Sequence, residues 1–172
     1  KYPYEGEYKI AYRVIADHIR ACTFALSDGA TFSNEGRGYV LRRLVRRAVR
    51  YLRKLGIEKH FLYTLVSKVA DNMNSYYPYL KDNEEKVSKM IKNEEEKFAK
   101  TLSIGENMLR DIISHTKEDK ISGLVAFKMY DTYGFPVELT EEIAHEANKN
   151  IDLDEFNQEM QKQKERAKAS RG

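Results

Sequence analysis

The residues best suited to chemistry lie in residues 33–55, SNEGRGYVLRRLVRRAVRYLRKL. Seven arginines (Arg37, Arg42, Arg43, Arg46, Arg47, Arg50 and Arg53) and Lys54 fall there with no acid between Arg37 and Lys54. On a helix at about 100° per residue, the cations from Arg42 to Lys54 occupy an arc of about 140°. Val40, Leu41, Leu44, Val45, Ala48, Val49, Tyr51, Leu52 and Leu55 fill the remainder. A face this basic repels itself unless a polyanion, or acids from elsewhere in the fold, lie over it. The spacing predicts a helix buried on its apolar side that holds up an RNA-binding surface. Arg42, Arg46 and Arg50 follow one another at i+4, with Arg43 and Arg47 alongside, so these five are the candidate phosphate contacts. The competing arrangement pairs several of them with acids of a later helix.

Other reactive residue types do not assemble. Neither G-x-x-x-x-G-K-S/T nor G-x-G-x-x-G after a strand is present, and Gly36-Arg37-Gly38 is too short a fragment of either. The histidines at 18, 60, 115 and 145 form neither H-x-x-x-H nor H-E-x-x-H, and no serine sits in a nucleophile elbow. His18 falls on an apolar stripe and reads as a core histidine bonded to a neighbour. The single cysteine, Cys22, excludes an intramolecular disulfide and a Cys-based zinc site, and it fits a reducing cytosol. By itself the segment does not look like an enzyme.

Positioning the basic face requires a scaffold with a core. At 172 residues, 41% hydrophobic and 33% charged, the chain is long enough to bury one, and three prolines and nine glycines are too few for a tight-turned all-β protein. The formal net charge of +3 hides an asymmetry: residues 1–60 carry 13 Lys/Arg against 6 Asp/Glu, and residues 61–172 carry 17 against 21. The basic half is the candidate nucleic-acid surface. No signal peptide and no apolar run of about 20 residues is present, so neither secretion nor membrane spanning is expected. The start at Lys1 without methionine and the basic tail read as a piece of something longer.

Residues 1–7 read as an irregular lead-in. A helix is predicted over 8–26, with Ala11, Val14, Ile15, Ile19, Cys22 and Leu26 as its stripe and Ser27-Asp28-Gly29 as its stop. In the loop over 29–38, Ser33 or Asn34 could cap the basic helix, while Gly36 and Gly38 delay its start to about Tyr39 and leave Asn34 free beside its root. Gly56 ends that helix. A helix over 60–72 leads to the Tyr76-Tyr77-Pro78-Tyr79 corner, whose tyrosines either stack on bases or close the end of a core. A long helix over 83–114 has Gly105 as its weak point. Its Glu84, Glu85, Glu94, Glu95 and Glu96, with lysines following at four-residue spacings, read as a solvated, salt-bridged face. After a charged linker at 116–120, a short helix over 124–131 breaks at Thr132-Tyr133-Gly134-Phe135-Pro136, and another runs over 137–148. The last helix starts at Asp152 or Asp154, with Asp152 and Glu155 spaced as a capping box, and is expected to fray over 161–172. The fold class is therefore all-α: a bundle with one long helix over residues 1–120, and a smaller helical subregion over 121–172 packing on it.

Two blocks carry a likeness to a known family. AYRVIADHIRACTFALSDGATFSNEGRGYVLRRLVRRAVR at 11–50 and AFKMYDTYGFPVELTEEIA at 126–144, separated by a variable helical stretch, resemble the alanyl-tRNA synthetase family just after its class II catalytic domain. The likeness covers residues 8–170 or so. It implies the helical tRNA-recognition region of a cytoplasmic ligase that uses ATP to attach alanine to its tRNA. The implied partners are the tRNA acceptor stem and the catalytic and editing domains of the same parent chain, with no membrane and no DNA. No cofactor is expected in this segment; ATP and Mg belong to the catalytic domain upstream, and Zn to the editing domain downstream.

The resemblance also assigns roles. An Asn in the SNE loop and an Asp in the YDTYG stretch read the G·U wobble pair of the acceptor stem, and these positions match Asn34 and Asp131. A G·U pair leaves the guanine 2-amino group unpaired in the wide, shallow minor groove of A-form RNA. A carboxylate can only accept, which suits that amino group, whereas an amide can donate and accept. The bland alternatives are a capping role for Asn34 and a turn role for Asp131. At the level of function, the alternatives are a general RNA-binding helical module and a structural adaptor whose arginines are consumed by internal salt bridges.

Overall fold

The structure is a computed structural model in which Gly6 and residues 8–172 are described; the rest of the predicted 1–7 lead-in lies outside them. Among the described residues it contains seven α-helices, one 3-10 turn and two two-residue strands, an all-α fold as expected. The chain divides into two compact units, Lys1–Lys100 and Thr101–Gly172, with the division inside the long helix.

The first unit is built on α1 (Lys9–Ser27) and α2 (Gly36–Lys54), followed by a 3-10 turn (Leu62–Thr64), α3 (Leu65–Met73) and the first part of α4 (Tyr79–His115). The predicted stripe of α1 is its buried face, from Ala11 to Leu26. It meets Leu41, Val45, Ala48, Val49 and Leu52 of α2 in a core completed by Leu62, Val66, Ala70, Leu80, Val87, Ile91 and Phe98. Cys22 lies in that core, its Sγ donating to the Leu41 carbonyl at 3.8 Å.

α2 starts at Gly36 rather than near Tyr39. Extended Glu35 is its N-cap without a side-chain cap bond, and Gly36 enters at φ +60. Gly38 does not delay the helix; it lets the first turn press against the preceding loop. A Cβ there would fall 2.4 Å from the Thr31 carbonyl and 2.7 Å from the Ser33 nitrogen. Neither Ser33 nor Asn34 caps the helix: the Ser33 hydroxyl donates to the Glu35 carbonyl at 2.7 Å.

The predicted helix over 60–72 is instead a 3-10 turn followed by α3, and a carboxylate caps its first amides. Glu95 Oε2 accepts from Phe61 N at 3.0 Å and Leu62 N at 2.8 Å, and Glu95 Oε1 from Tyr63 N at 3.4 Å. Amides at a helix start have no intrahelical acceptor, so a buried carboxylate can bind several at once. At the tyrosine corner, Tyr77 sits edge-on to Phe24 with centroids 5.0 Å apart, whereas Tyr76 is 83% exposed.

The second unit contains the end of α4, β1 (Lys120–Ile121), α5 (Gly123–Tyr133), α6 (Val137–Glu146), β2 (Asn150–Ile151) and α7 (Leu153–Ala169). The strands pair in parallel, Lys120 with Asn150 and Ile121 with Ile151, so the charged linker holds a strand too short to show a period. Gly105 is a seat rather than a weak point, since a Cβ there would fall 2.8 Å from the Phe135 ring. Thr101 Oγ1 donates to the Tyr133 carbonyl at 2.7 Å on the same side. Only half of the expected capping box of α7 forms: Glu155 N donates to Asp152 Oδ1 at 3.1 Å, but Asp152 N donates to the Ile121 carbonyl at 2.9 Å instead of to Glu155. Contrary to the expected fraying, α7 stays helical to Ala169. Its Gln, Lys, Glu, Arg and Ala residues are good helix formers, so propensity sustains a stretch with little burial.

Candidate nucleic-acid interface

The cations of α2 are largely drawn inward. Glu94 of α4, only 2% exposed, lies beneath them. Its Oε1 accepts from Arg42 Nε at 2.8 Å and from Arg46 Nε and Nη2 at 3.1 and 2.8 Å. The Arg42 and Arg46 side chains are 20% and 12% exposed. Arg46 also lies 5.4 Å from the centroid of Phe98. On the neighbouring side, Arg47 covers Tyr51 at 5.2 Å and its Nη1 sits 3.1 Å from His18 Nε2. Arginine only donates, so Nε2 is the acceptor and the His18 proton in this contact is on Nδ1. Arg43 and Arg53 are half-buried and engaged by neighbouring groups. Arg50 has no exposed surface at all, which sets it apart from the other four candidate phosphate contacts. Arg37 and Lys54 are exposed.

Glu94 and Glu95 therefore do not belong to a solvated face. The pattern had a signal for this. The buried stripe of α4 runs through Val87, Ile91, Phe98 and Leu102, and positions 94 and 95 fill the i+3 and i+4 places between Ile91 and Phe98. Acids at those places must be buried, and buried carboxylates need donors. The salt-bridged reading holds further out, where Lys89 Nζ lies 3.2 Å from Glu85.

Arg42 also reaches the loop. Its Nη1 donates to Asn34 Oδ1 at 2.5 Å, so a chain of contacts runs from buried Glu94 through a guanidinium to exposed Asn34. Because arginine cannot accept, the atom facing it must be the amide oxygen, and the Asn34 NH2 is the end left to donate elsewhere.

Asp131 is exposed on the last turn of α5, and its Oδ1 accepts from Gln163 Nε2 of α7 at 2.6 Å. At the other end of the same pair of helices, the Glu155 carboxylate accepts from Gly123 N at 2.7 Å and Ser122 Oγ at 2.9 Å. Partners 32 residues apart at both ends mean that α5 and α7 run side by side in the same direction. Sequence reasoning missed Gln163 altogether, since nothing local in the chain marks it. Each unit thus holds one of the two candidates by itself, an amide donor at Asn34 in the first and a carboxylate acceptor at Asp131 in the second.

Among the described residues, no three His, Cys, Asp or Glu side chains converge as a metal-binding group. None of the described helices is long and apolar enough to cross a membrane.

Residues 1–172 match the family described as tRNA synthetases class II (A). The chain is 54% identical over 170 residues to the alanine–tRNA ligase of Bacillus cytotoxicus, covering 97% of this chain and 19% of that protein. Against the alanine–tRNA ligase of Bacillus anthracis it is 54% identical over 168 residues, covering 96% and 19%. Against that of Geobacillus kaustophilus it is 51% identical over 174 residues, covering 99% and 20%. The chain spans about a fifth of the length of these curated relatives.

Proposed function

Since the chain belongs to the class II alanyl-tRNA synthetase family, we propose that it is the part of an alanine–tRNA ligase that recognises the acceptor stem of alanine tRNA at its G·U pair. The observation that carries this reading is the polarity of Asn34. An exposed amide whose oxygen is taken by Arg42 presents its NH2, which suits the O2, N3 and 2′-OH acceptors of a minor groove. Asp131 supplies the complementary chemistry, an acceptor for the guanine 2-amino group. Arg42, Arg43, Arg46 and Arg47 take the phosphate role and position the stem without reading it. Arg50, with no exposed surface, stays inside the fold. On this reading ATP and Mg act in the catalytic domain, and Zn in the editing domain, of the parent chain, which works in the cytoplasm.

A structural adaptor between those domains is the second reading, favoured by the burial of Arg50 and by the hold of Glu94 on Arg42 and Arg46. Full-length enzyme and paired stems carrying G·U or G·C separate the two. Asn34→Ala and Asp131→Ala should each reduce discrimination by about 1–3 kcal/mol, while Arg47→Ala should weaken both stems alike. Unchanged G·U preference in both of the first two variants would leave the adaptor.

A further inference from the structure

The second unit is acidic except at its end, where positive charge is in excess. Residues 101–161 carry five Lys/Arg against 13 Asp/Glu, whereas residues 162–172 carry five against Glu165 alone. Lys162 is held by Glu159 at 2.6 Å, and Glu165 accepts from Gln161 at 3.0 Å. The other four, Lys164, Arg166, Lys168 and Arg171, are exposed and make no side-chain hydrogen bond or ion pair among the described residues. This is the reverse of α2, where buried or half-buried arginines are tied to Glu94, His18 and aromatic rings.

We propose that the basic end of α7 is a second docking surface for the RNA backbone, flanking Asp131. Gln163 fixes the place, because its bond to Asp131 puts that carboxylate against the turn of α7 where the basic stretch begins. Lys164 and Arg166 leave the helix on either side of Gln163, at about 100° and 60°. Lys164 and Lys168 follow at i and i+4 on one side of the helix, and Arg171 lies in the turn just past its end. α5 ends at Tyr133, two residues past Asp131, so the equal offset of the two helices carries α7 beyond it from Arg166 to Ala169, about 6 Å of unaccompanied helix. Phe156 is the only buried residue of α7, so nothing in the packing of its far half requires these cations. A carboxylate that must reach a base edge meets the repulsion of the phosphates around that edge. Four unpaired cations beside it offset that repulsion and hold the strand that carries the base.

The proposal goes beyond base readout and rests on it only for the identity of the partner as RNA. Its test uses full-length enzyme carrying Lys164→Ala, Arg166→Ala and Lys168→Ala together, changes that keep α7 helical. Binding of an acceptor-stem hairpin is measured across a salt series, beside the G·U-to-G·C ratio. The expected result is a loss of affinity of about 10-fold or more at low salt. The slope of log K against log salt should become shallower by about 2–3, at roughly 0.7–0.9 per lost phosphate contact, with the G·U ratio kept. Lys164→Arg with Lys168→Arg should behave as wild type. Wild-type affinity and slope in the triple variant overturn the proposal, whatever else these cations bind. If Asn34→Ala and Asp131→Ala lose discrimination while the triple variant is unchanged, base readout stands and the α7 surface falls. If the triple variant loses slope while those two keep their discrimination, the surface stands and the readout falls.

Discussion

α2 and α7 are both helices crowded with positive charge, and the structure uses them in opposite ways. α2 carries the larger count, yet Arg50 is sealed inside and Arg42 and Arg46 converge on a buried carboxylate. α7 carries fewer cations, but past Phe156 it buries nothing and its last four basic side chains are exposed. The number of cations on a helix therefore says little about the charge it can offer a partner. What decides is whether acids are folded against it. The anchoring of the two base-reading candidates shows the same contrast: Asn34 is tied to a buried ionic cluster, Asp131 to a neutral amide on an exposed helix.

The sharpest way to break this comparison is to remove the buried acid. Glu94→Ala leaves two half-buried guanidiniums without their counter-charge and should destabilise the protein by about 3–5 kcal/mol. Single alanine substitutions at Lys164 or Lys168 should stay within about 0.5 kcal/mol. Urea unfolding of the variants measures both, and a Glu94→Ala protein as stable as wild type would remove the basis of the contrast.

A smaller effect probes the two anchors. Arg42→Lys keeps the charge but cannot bond Glu94 and Asn34 with one planar fork. It should cost about 1–2 kcal/mol of G·U discrimination. The same change in an Asn34→Ala background should cost almost nothing further, because both act through one contact. Gln163→Ala should cost less than about 1 kcal/mol, as expected for an exposed neutral hydrogen bond. Additive losses for Arg42 and Asn34 would show that Arg42 does not work through the amide.

The smallest effect compares reagent access. Burial pushes the Cys22 thiol up to about 12. At pH 8 iodoacetamide should therefore leave it untouched in folded protein, while amine reagents label the α7 lysines promptly. The linkage has a definite sign. With the folded value above the ordinary thiol value of about 8.5, this group's contribution to stability is intact below that pH and declines as pH rises toward 12. Alkylation of Cys22 at the rate of a free thiol, with the fold intact, would place it outside the core.

Much of this arrangement was legible in the residues. The α1 stripe, the Asp152 cap of α7 and the helical periods of α2 and α4 are local patterns, and local patterns survive into the fold. Glu94 and Glu95 were misjudged because acids followed by lysines at i+4 also suit a solvated face. The decisive clue was their place between Ile91 and Phe98. Gly38 misled for a related reason: glycine weakens a helix start in isolation, but here the loop backbone presses where a side chain would be. Gln163 and the β1–β2 pair had no local signal, since each is defined by a partner about thirty residues away.

The separation of Glu94 from the arginines it holds also has a consequence in time. Arg42 and Arg46 precede it by 52 and 48 residues. At a synthesis rate of about 5–20 residues per second, α2 waits about 3–10 s between its own emergence and that of its counter-charge. During that interval the nascent helix is a bare polycation, close to the ribosome's own RNA. The arrival of α4 ends that exposure and completes the core in the same step.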